Sequence, residues 1–308
     1  MALGEQLLFP LARLMRKRNA GQSPEMTTAL ADETSYAAYR MECVEKVLGA
    51  ADTYGVKWRD QDVLDLGCFD GAISAAYLNA GAATVVGVDI DEPAIQRART
   101  HHSDSRLRFV ASGVNEIPLE NRSVDTIISY DVFEHVRHPD RILRECHRIL
   151  RPGGQMLIGT WGWYHPFAPH LWSIMPVPYA HVFFSERTLL RTCHRIYKSD
   201  NYVPNMHDFD SEGNRIEDKF LNESISEDYL NKFLIRDFER CFRASDFRFR
   251  IHSQRFSTKY AVWTKPLLRI PCIREFVTAY IWVVLEKSPE CSVTYPRNGV
   301  SIERATAL

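Results

Sequence analysis

The chain has 308 residues, 45% of them hydrophobic and 25% charged, with a formal net charge of -1. That length allows a full core, either as one large domain or as a domain with an inserted or appended cap. The near-neutral balance excludes a global pull toward nucleic acid, so polyanion binding would need a local basic patch.

No apolar run reaches the roughly 18 residues needed to span a bilayer. The opening MALGEQLLFPLARLMRKRNAG places its positive charges after the apolar residues, the reverse of a secretory signal. Seven cysteines without paired spacing predict reduced thiols and a cytoplasmic location.

In chain order, residues 1–60 read as a helical preface. LLFPLARLMRKRN comes first, then a polar break at Gly21–Met26, then SYAAYRMECVEKVLGAADTYG. In the first helix Leu11, Leu14 and Met15 alternate with Arg13, Arg16, Lys17 and Arg18. Two readings fit that pattern, a weak contact with an anionic membrane surface or a capping helix with a solvated face.

From Gln61 strand and helix signals alternate, the mark of βαβ units and a parallel sheet. Strands are predicted at 63–66, 84–88, 107–111, 126–129 and 155–159. Helices fill 71–80, 92–101 and 138–150, the last stopped by RPGG. The following WGWYHPFAPHLWSIMPVPYAHVFF is crowded with Pro, His and aromatic residues and predicts a loop or cap over something apolar. SERTLLRTCHRIY predicts a short helix begun by Ser185.

FRFRIH, with Phe247, Phe249 and Ile251 on one face, and YIWVVLEK predict two late strands, for seven in all. Ten Arg/Lys against three Asp/Glu between Arg236 and Arg274 make that region basic. The alternation turns Arg248 and Arg250 away from the Phe247 face, so solvation is the simpler reading than an anionic ligand.

VLDLGCFDGAIS, at Val63–Ser74, places glycines at a strand-to-helix turn, where nucleotides bind. A dinucleotide pyrophosphate does not fit. The position two after Gly67 is Phe69 rather than glycine, and Asp70 adds negative charge beside an anion. Asp89 ends the second strand, placed to accept hydrogen bonds from both hydroxyls of an adenosine ribose. Asp65 is placed to meet an ammonium group. A nucleoside bearing an amino acid and a sulfonium suits Asp65, Asp70 and Asp89 together, and that ligand is S-adenosylmethionine.

Four segments in order, VLDLGCFDGAIS, VVGVDID, NEIPLENRSVDTIISYDVFEHV and RILRECHRILRPGGQMLIGT, resemble the class I S-adenosylmethionine-dependent methyltransferases. The small-molecule branch, typified by the ubiquinone and menaquinone biosynthesis enzymes, is the nearest in pattern. The resemblance covers about residues 60–160. It implies an α/β, doubly wound, seven-stranded and mostly parallel Rossmann-like sheet whose last strand is antiparallel.

Carried onto this chain, the resemblance puts Asp65, Gly67, Cys68, Phe69 and Gly71 at the methionine side, Asp89 at the ribose and Ile90 on the adenine. Relatives usually place an acidic residue after the third strand, where this chain has Gly113. Adenine recognition then falls to the Val114 backbone and the Asn115 side chain. Tyr130, ending the fourth strand, either faces the methyl group or is a partly buried aromatic.

The chain therefore divides into a helical cap at 1–60 and the S-adenosylmethionine-binding core at 61–160. A substrate cap inserted after the fifth strand at 161–235, the completion of the sheet at 236–290 and a tail at 291–308 follow. His165 and His170, in the cap, are candidate general bases, and His135 is a third catalytic candidate.

Asp131, Glu134 and His135 in YDVFEHV match a spacing used to hold Mg²⁺ by methyltransferases of catechols and RNA ends, although relatives without metal share the same Glu-His pair. No resident metal is assigned. The expected reaction is methyl transfer to a small, partly apolar molecule, at an oxygen of a phenol, enol or carboxylate. No nucleic-acid partner is expected. The alternatives are a Mg²⁺-assisted enzyme acting on a catechol or an RNA end, and a cofactor-binding module without turnover.

Overall fold

The structure, a computed structural model, describes residues 3–19, 33–200, 202–205, 208–210, 212–217, 219–255 and 266–289. The break at Gly21–Met26, the tail at 291–308 and part of the basic region Arg236–Arg274 lie outside the described residues, as do the Lys17 and Arg18 side chains.

Seven strands form one sheet: β1 (Asp62–Leu66), β2 (Thr84–Asp89), β3 (Leu107–Ala111), β4 (Val124–Tyr130), β5 (Leu150–Thr160), β6 (Arg248–Arg255) and β7 (Thr278–Glu286). Their spatial order is β3-β2-β1-β4-β5-β7-β6. The first five run parallel, and β7 is antiparallel to both β5 and β6. The strand order reverses between β1 and β4, which opens a crevice at their carboxyl ends.

The central strands are apolar on both faces because helices cover both. Helices α2 (Glu33–Tyr54), α3 (Ala72–Asn79) and α4 (Glu92–His101) pack Val47, Tyr77 and Ile95 into one core layer. On the other face, α5 (Pro139–Ile149) contributes Ile142 and Cys146. Local chemistry sets the helix starts. Asp91 caps α4 by accepting from the Ala94 N–H at 3.0 Å, with Pro93 in its first turn.

Two local expectations need correction. The Pro152–Gly154 segment does not separate a helix from a strand. Helix α5 ends at Ile149, Leu150 already pairs with Val124, and the register jumps to Thr126 against Gln155, so the Pro-Gly-Gly run is a bulge within β5. The stretch after residue 235 also carries two helices that were not expected, α8 (Ile235–Ala244) and α9 (Pro271–Val277). Phe238 and Phe242 of α8 complete the core layer beneath β5 to β7.

Between β5 and α8 lies the cap. It is irregular from Trp161, with a single helical turn, α6 (Ala180–Phe183), then α7 (Glu186–Tyr197), whose Ser185 cap accepts from the Thr188 N–H at 3.3 Å. Helix α1 (Leu3–Asn19) buries Leu8 and Ala12 in a cluster with Leu189, Cys193 and Ile196 of α7, while Leu3, Leu7, Leu11 and Leu14 stay exposed. None of the described helices is long and apolar enough to cross a membrane.

Candidate active site at the carboxyl ends of the central strands

Gly67 and Gly71 both adopt left-handed backbone, with φ of 86° and 81°. A Cβ on Gly67 would come within 2.2 Å of the Val132 side chain, and one on Gly71 within 2.3 Å of Phe109. Both positions therefore require glycine. Phe69 keeps the left-handed conformation of a glycine turn, φ 49°, while its ring lies between Arg40 and Arg97, 6.0 and 5.6 Å from the guanidinium carbons.

The Phe69 N–H donates to Asp89 Oδ2 at 2.8 Å, and the Asp91 N–H donates to Oδ1 at 3.0 Å. These bonds fix the carboxylate at the crevice and leave each oxygen a lone pair for a hydroxyl. The Cys68 side chain points away from the crevice into the core. It is 2% exposed, packs into the layer under α3 and offers the turn only its backbone.

Asp65 is buried beneath the turn and accepts from Ser74 Oγ at 2.5 Å. Burial pushes its carboxyl up to about 6, against the opposing pull of Ser74 and Arg40, and Asp89 adds to the rise. Asp70 behaves differently from the sequence reading. It forms an ion pair with Arg40, a buried side chain of α2, so its charge is already compensated. Arg40 thus places a guanidinium, paired with Asp70, beside the glycine turn.

After β2 and β3, Ile90 and Val114 are 64% and 65% exposed, and the Oδ1 of Asn115, next to Val114 in the chain, is buried without a hydrogen-bond partner. An adenine would cover the two apolar side chains and supply an amino donor to that oxygen. A Cβ on Gly113 would meet only the Glu116 carbonyl, at 4.0 Å, so the glycine is not required by packing. The residues present fit S-adenosylmethionine.

Beyond the crevice, Tyr130 is half-buried, its ring 6.0 Å from Tyr280 and 5.9 Å from Trp282. The Tyr280 hydroxyl donates to Asp131 Oδ1 at 2.6 Å, and Trp161 lies 5.9 Å from the Tyr280 ring. Trp161 in turn contacts His165 and His170, at 5.5 and 5.4 Å. Other cap aromatics are used in packing. Trp163 meets His181 edge-on, and Tyr164 stacks on Phe276 at 4.4 Å.

The histidines sit in apolar surroundings that favour the neutral ring. His165 Nδ1 accepts from the Phe167 N–H at 3.2 Å, and burial, with His181 nearby, pushes its pKa down to about 4. Burial also pushes His170 down to about 3, reinforced by His135 and His165, and it lowers His135. The carboxyls of Asp131 and Glu134 are both pushed up, by burial first, and for Asp131 by Glu134 as well.

The Asp131, Glu134, His135 triad is not assembled. Asp131 turns to Tyr280, and the donor that joins Glu134 and His135 is His170 of the cap. Sequence reasoning also missed Arg40, Ser74, Tyr229 and Tyr280. Ser74 stood inside the quoted motif, nine residues after Asp65, but Arg40 gave only the weak signal of one cation among the tyrosines and alanines of SYAAYR.

A sheet of this order with β7 reversed, a glycine turn after β1 and a carboxylate ending β2 is the arrangement expected of a class I S-adenosylmethionine-dependent methyltransferase domain. Residues 64–158 match the family model described as a methyltransferase domain. A protein of Mycobacterium tuberculosis named "Probable S-adenosylmethionine-dependent methyltransferase" is 34% identical over 100 residues, 32% of this chain and 35% of that protein.

The ubiquinone biosynthesis O-methyltransferase of Pseudomonas aeruginosa is 33% identical over 118 residues, 34% of this chain and 49% of that enzyme. The matches thus span about a third to a half of the length of these curated relatives. A solved S-adenosylmethionine-dependent methyltransferase from Mesorhizobium loti aligns over 77% of this chain and 96% of its own, at 16% identity and a TM-score of 0.47.

Proposed function

We propose that this protein transfers the methyl group of S-adenosylmethionine to a small, partly apolar molecule, at an oxygen of a phenol, enol or carboxylate. The observation that carries the reading is the joined pair of Asp89 and the Phe69 N–H at the glycine turn, inside the segment that matches the methyltransferase family. When bound, the cosubstrate supplies an electrophilic methyl on a sulfonium. The chain's own part is to hold and align. Arg40 and Asp65 take the carboxylate and ammonium, Asp89 the ribose, and Asn115 with Ile90 and Val114 the adenine.

The aromatic wall of Tyr130, Trp161 and Tyr280 supports an apolar acceptor, since these rings meet at the carboxyl ends of β4 and β5 where the first residues of the cap begin. The oxygen acceptor is supported by the chemistry in the name of the Pseudomonas aeruginosa relative. Alignment in a water-poor site supplies much of the acceleration for such an electrophile. His165, neutral and weakly basic at pKa about 4, is a lesser contributor. The six described cysteines are free thiols, which supports the proposed cytoplasmic location.

The test is incubation with methyl-labelled S-adenosylmethionine and a panel of phenols, enols and carboxylic acids, read by mass spectrometry. A product carrying the labelled methyl on oxygen supports the reading. Label on nitrogen or carbon would correct the acceptor, and tight cosubstrate binding without transfer to any acceptor class would make the protein a binding module.

A further inference from the structure

We propose that Glu134, His135 and His170 form a site for one divalent transition-metal ion, with Zn²⁺ the best-suited occupant, joining the loop after β4 to the cap. One donor atom from each residue lies within 4.8 Å of the other two. Around Zn²⁺, donors at about 2.0–2.1 Å stand about 3.3 Å apart, so the side chains need draw inward by little more than an ångström.

The orientation of each donor argues for a built site. Glu134 is 4% exposed, and Thr160 donates to its Oε2 at 2.7 Å, while Oε1 is buried without a partner. His135 Nδ1 lies 2.5 Å from the Tyr229 carbonyl oxygen. A carbonyl only accepts, so Nδ1 carries the proton and Nε2 holds the free lone pair. His170 Nδ1 faces the Tyr229 hydroxyl at 3.4 Å, and its Nε2 is buried without a partner. Tyr229 therefore orients both imidazoles, one through its backbone and one through its side chain.

His170 is held at φ 58°, a left-handed conformation uncommon for histidine, which the cap maintains while placing this ring against His135. Two imidazoles and one carboxylate favour Zn²⁺ or a neighbouring first-row ion over Mg²⁺, which prefers oxygen ligands. The site takes donors from both sides of the core–cap junction and does not depend on the methyl-transfer reading.

The test uses full-length protein stripped with chelator and titrated calorimetrically with Zn²⁺, without S-adenosylmethionine. The wild type is expected to bind one equivalent that excess Mg²⁺ does not displace, and to melt at higher temperature when loaded. His170→Asn should weaken binding by more than the 10- to 100-fold typical of losing an outer partner, whereas Asp131→Asn should retain one equivalent. Absence of wild-type binding, equal binding by His170→Asn, or loss through Asp131→Asn alone would each overturn the proposal.

Co²⁺ loaded into the wild type gives a measurement independent of any variant's folding. Visible ligand-field bands and two shifted exchangeable imidazole N–H resonances are expected. A spectrum matching Co²⁺ in buffer would refute the site.

Discussion

Replacing Asp65 with Asn should stabilise the protein and weaken its hold on S-adenosylmethionine at once. The carboxyl is wholly buried, and its pKa rises from the ordinary 3.8 to about 6. At about 1.4 kcal/mol per tenfold change in proton affinity, keeping it ionised costs the folded state about 3 kcal/mol. The sign follows from the raised value. Below pH 3.8 the acid is protonated in both states and no penalty exists. Between about 4 and 6 the folded state holds the proton more tightly, so stability falls as pH rises, and above 6 the full penalty is present.

Asn carries no such penalty and can still accept from Ser74. Urea unfolding at pH 4 and pH 7.5 should show the variant gaining up to about 3 kcal/mol over wild type at the higher pH and little at the lower. The ammonium of the cosubstrate then loses a charged partner, a loss of about 1.5–3 kcal/mol, or roughly 10- to 100-fold in affinity. Wild-type affinity should also rise with pH up to about 6 and then level, a dependence absent in the variant. A variant less stable than wild type at pH 7.5, with unchanged affinity and the same pH dependence, would refute this account of Asp65.

Asp89→Ala removes the acceptor for both ribose hydroxyls and frees the Phe69 N–H, so calorimetry should show cosubstrate affinity reduced by at least about tenfold. Arg40→Ala should weaken S-adenosylmethionine more than it weakens decarboxylated S-adenosylmethionine, which lacks the carboxylate; equal losses would confine Arg40 to pairing with Asp70. Trp161→Ala should raise the acceptor KM with little change in cosubstrate Kd, while Trp163→Ala acts through stability, seen as a lowered melting temperature. His165→Ala should keep kcat within about tenfold of wild type, because a base of pKa about 4 contributes little; a loss of 10³-fold would restore it as the proton acceptor.

Much of the fold was legible because local and global signals agree in the first half. Apolar runs such as VLDL and TVVGV could only be strands buried on both faces, and Asp91-Glu92-Pro93 marks a helix start by cap chemistry alone. The Pro-Gly-Gly run was misread because a bulge inside a strand and a helix-to-strand break use the same residues, and only pairing with β4 tells them apart. Helix α8 was hidden because its apolar residues, Phe238 and Phe242, sit among charges and gain meaning only against β5 to β7.

At the site, Gly67, Gly71 and Asp89 could be read because each is needed by the turn's own geometry. The contacts of Arg40, Tyr280 and His170 could not. Their partners lie 30, 149 and 35 or more residues away in sequence, and no spacing rule reaches across the cap.

The most direct test of the central claim is a calorimetric titration of the wild-type protein with S-adenosylmethionine, with NADH titrated in parallel. One molecule of S-adenosylmethionine bound per chain, with no comparable NADH binding, is the predicted result, since Phe69 stands where a pyrophosphate needs glycine and Asp89 is fixed for a ribose. NADH binding as tight as that of S-adenosylmethionine, or no binding of S-adenosylmethionine at all, would contradict it.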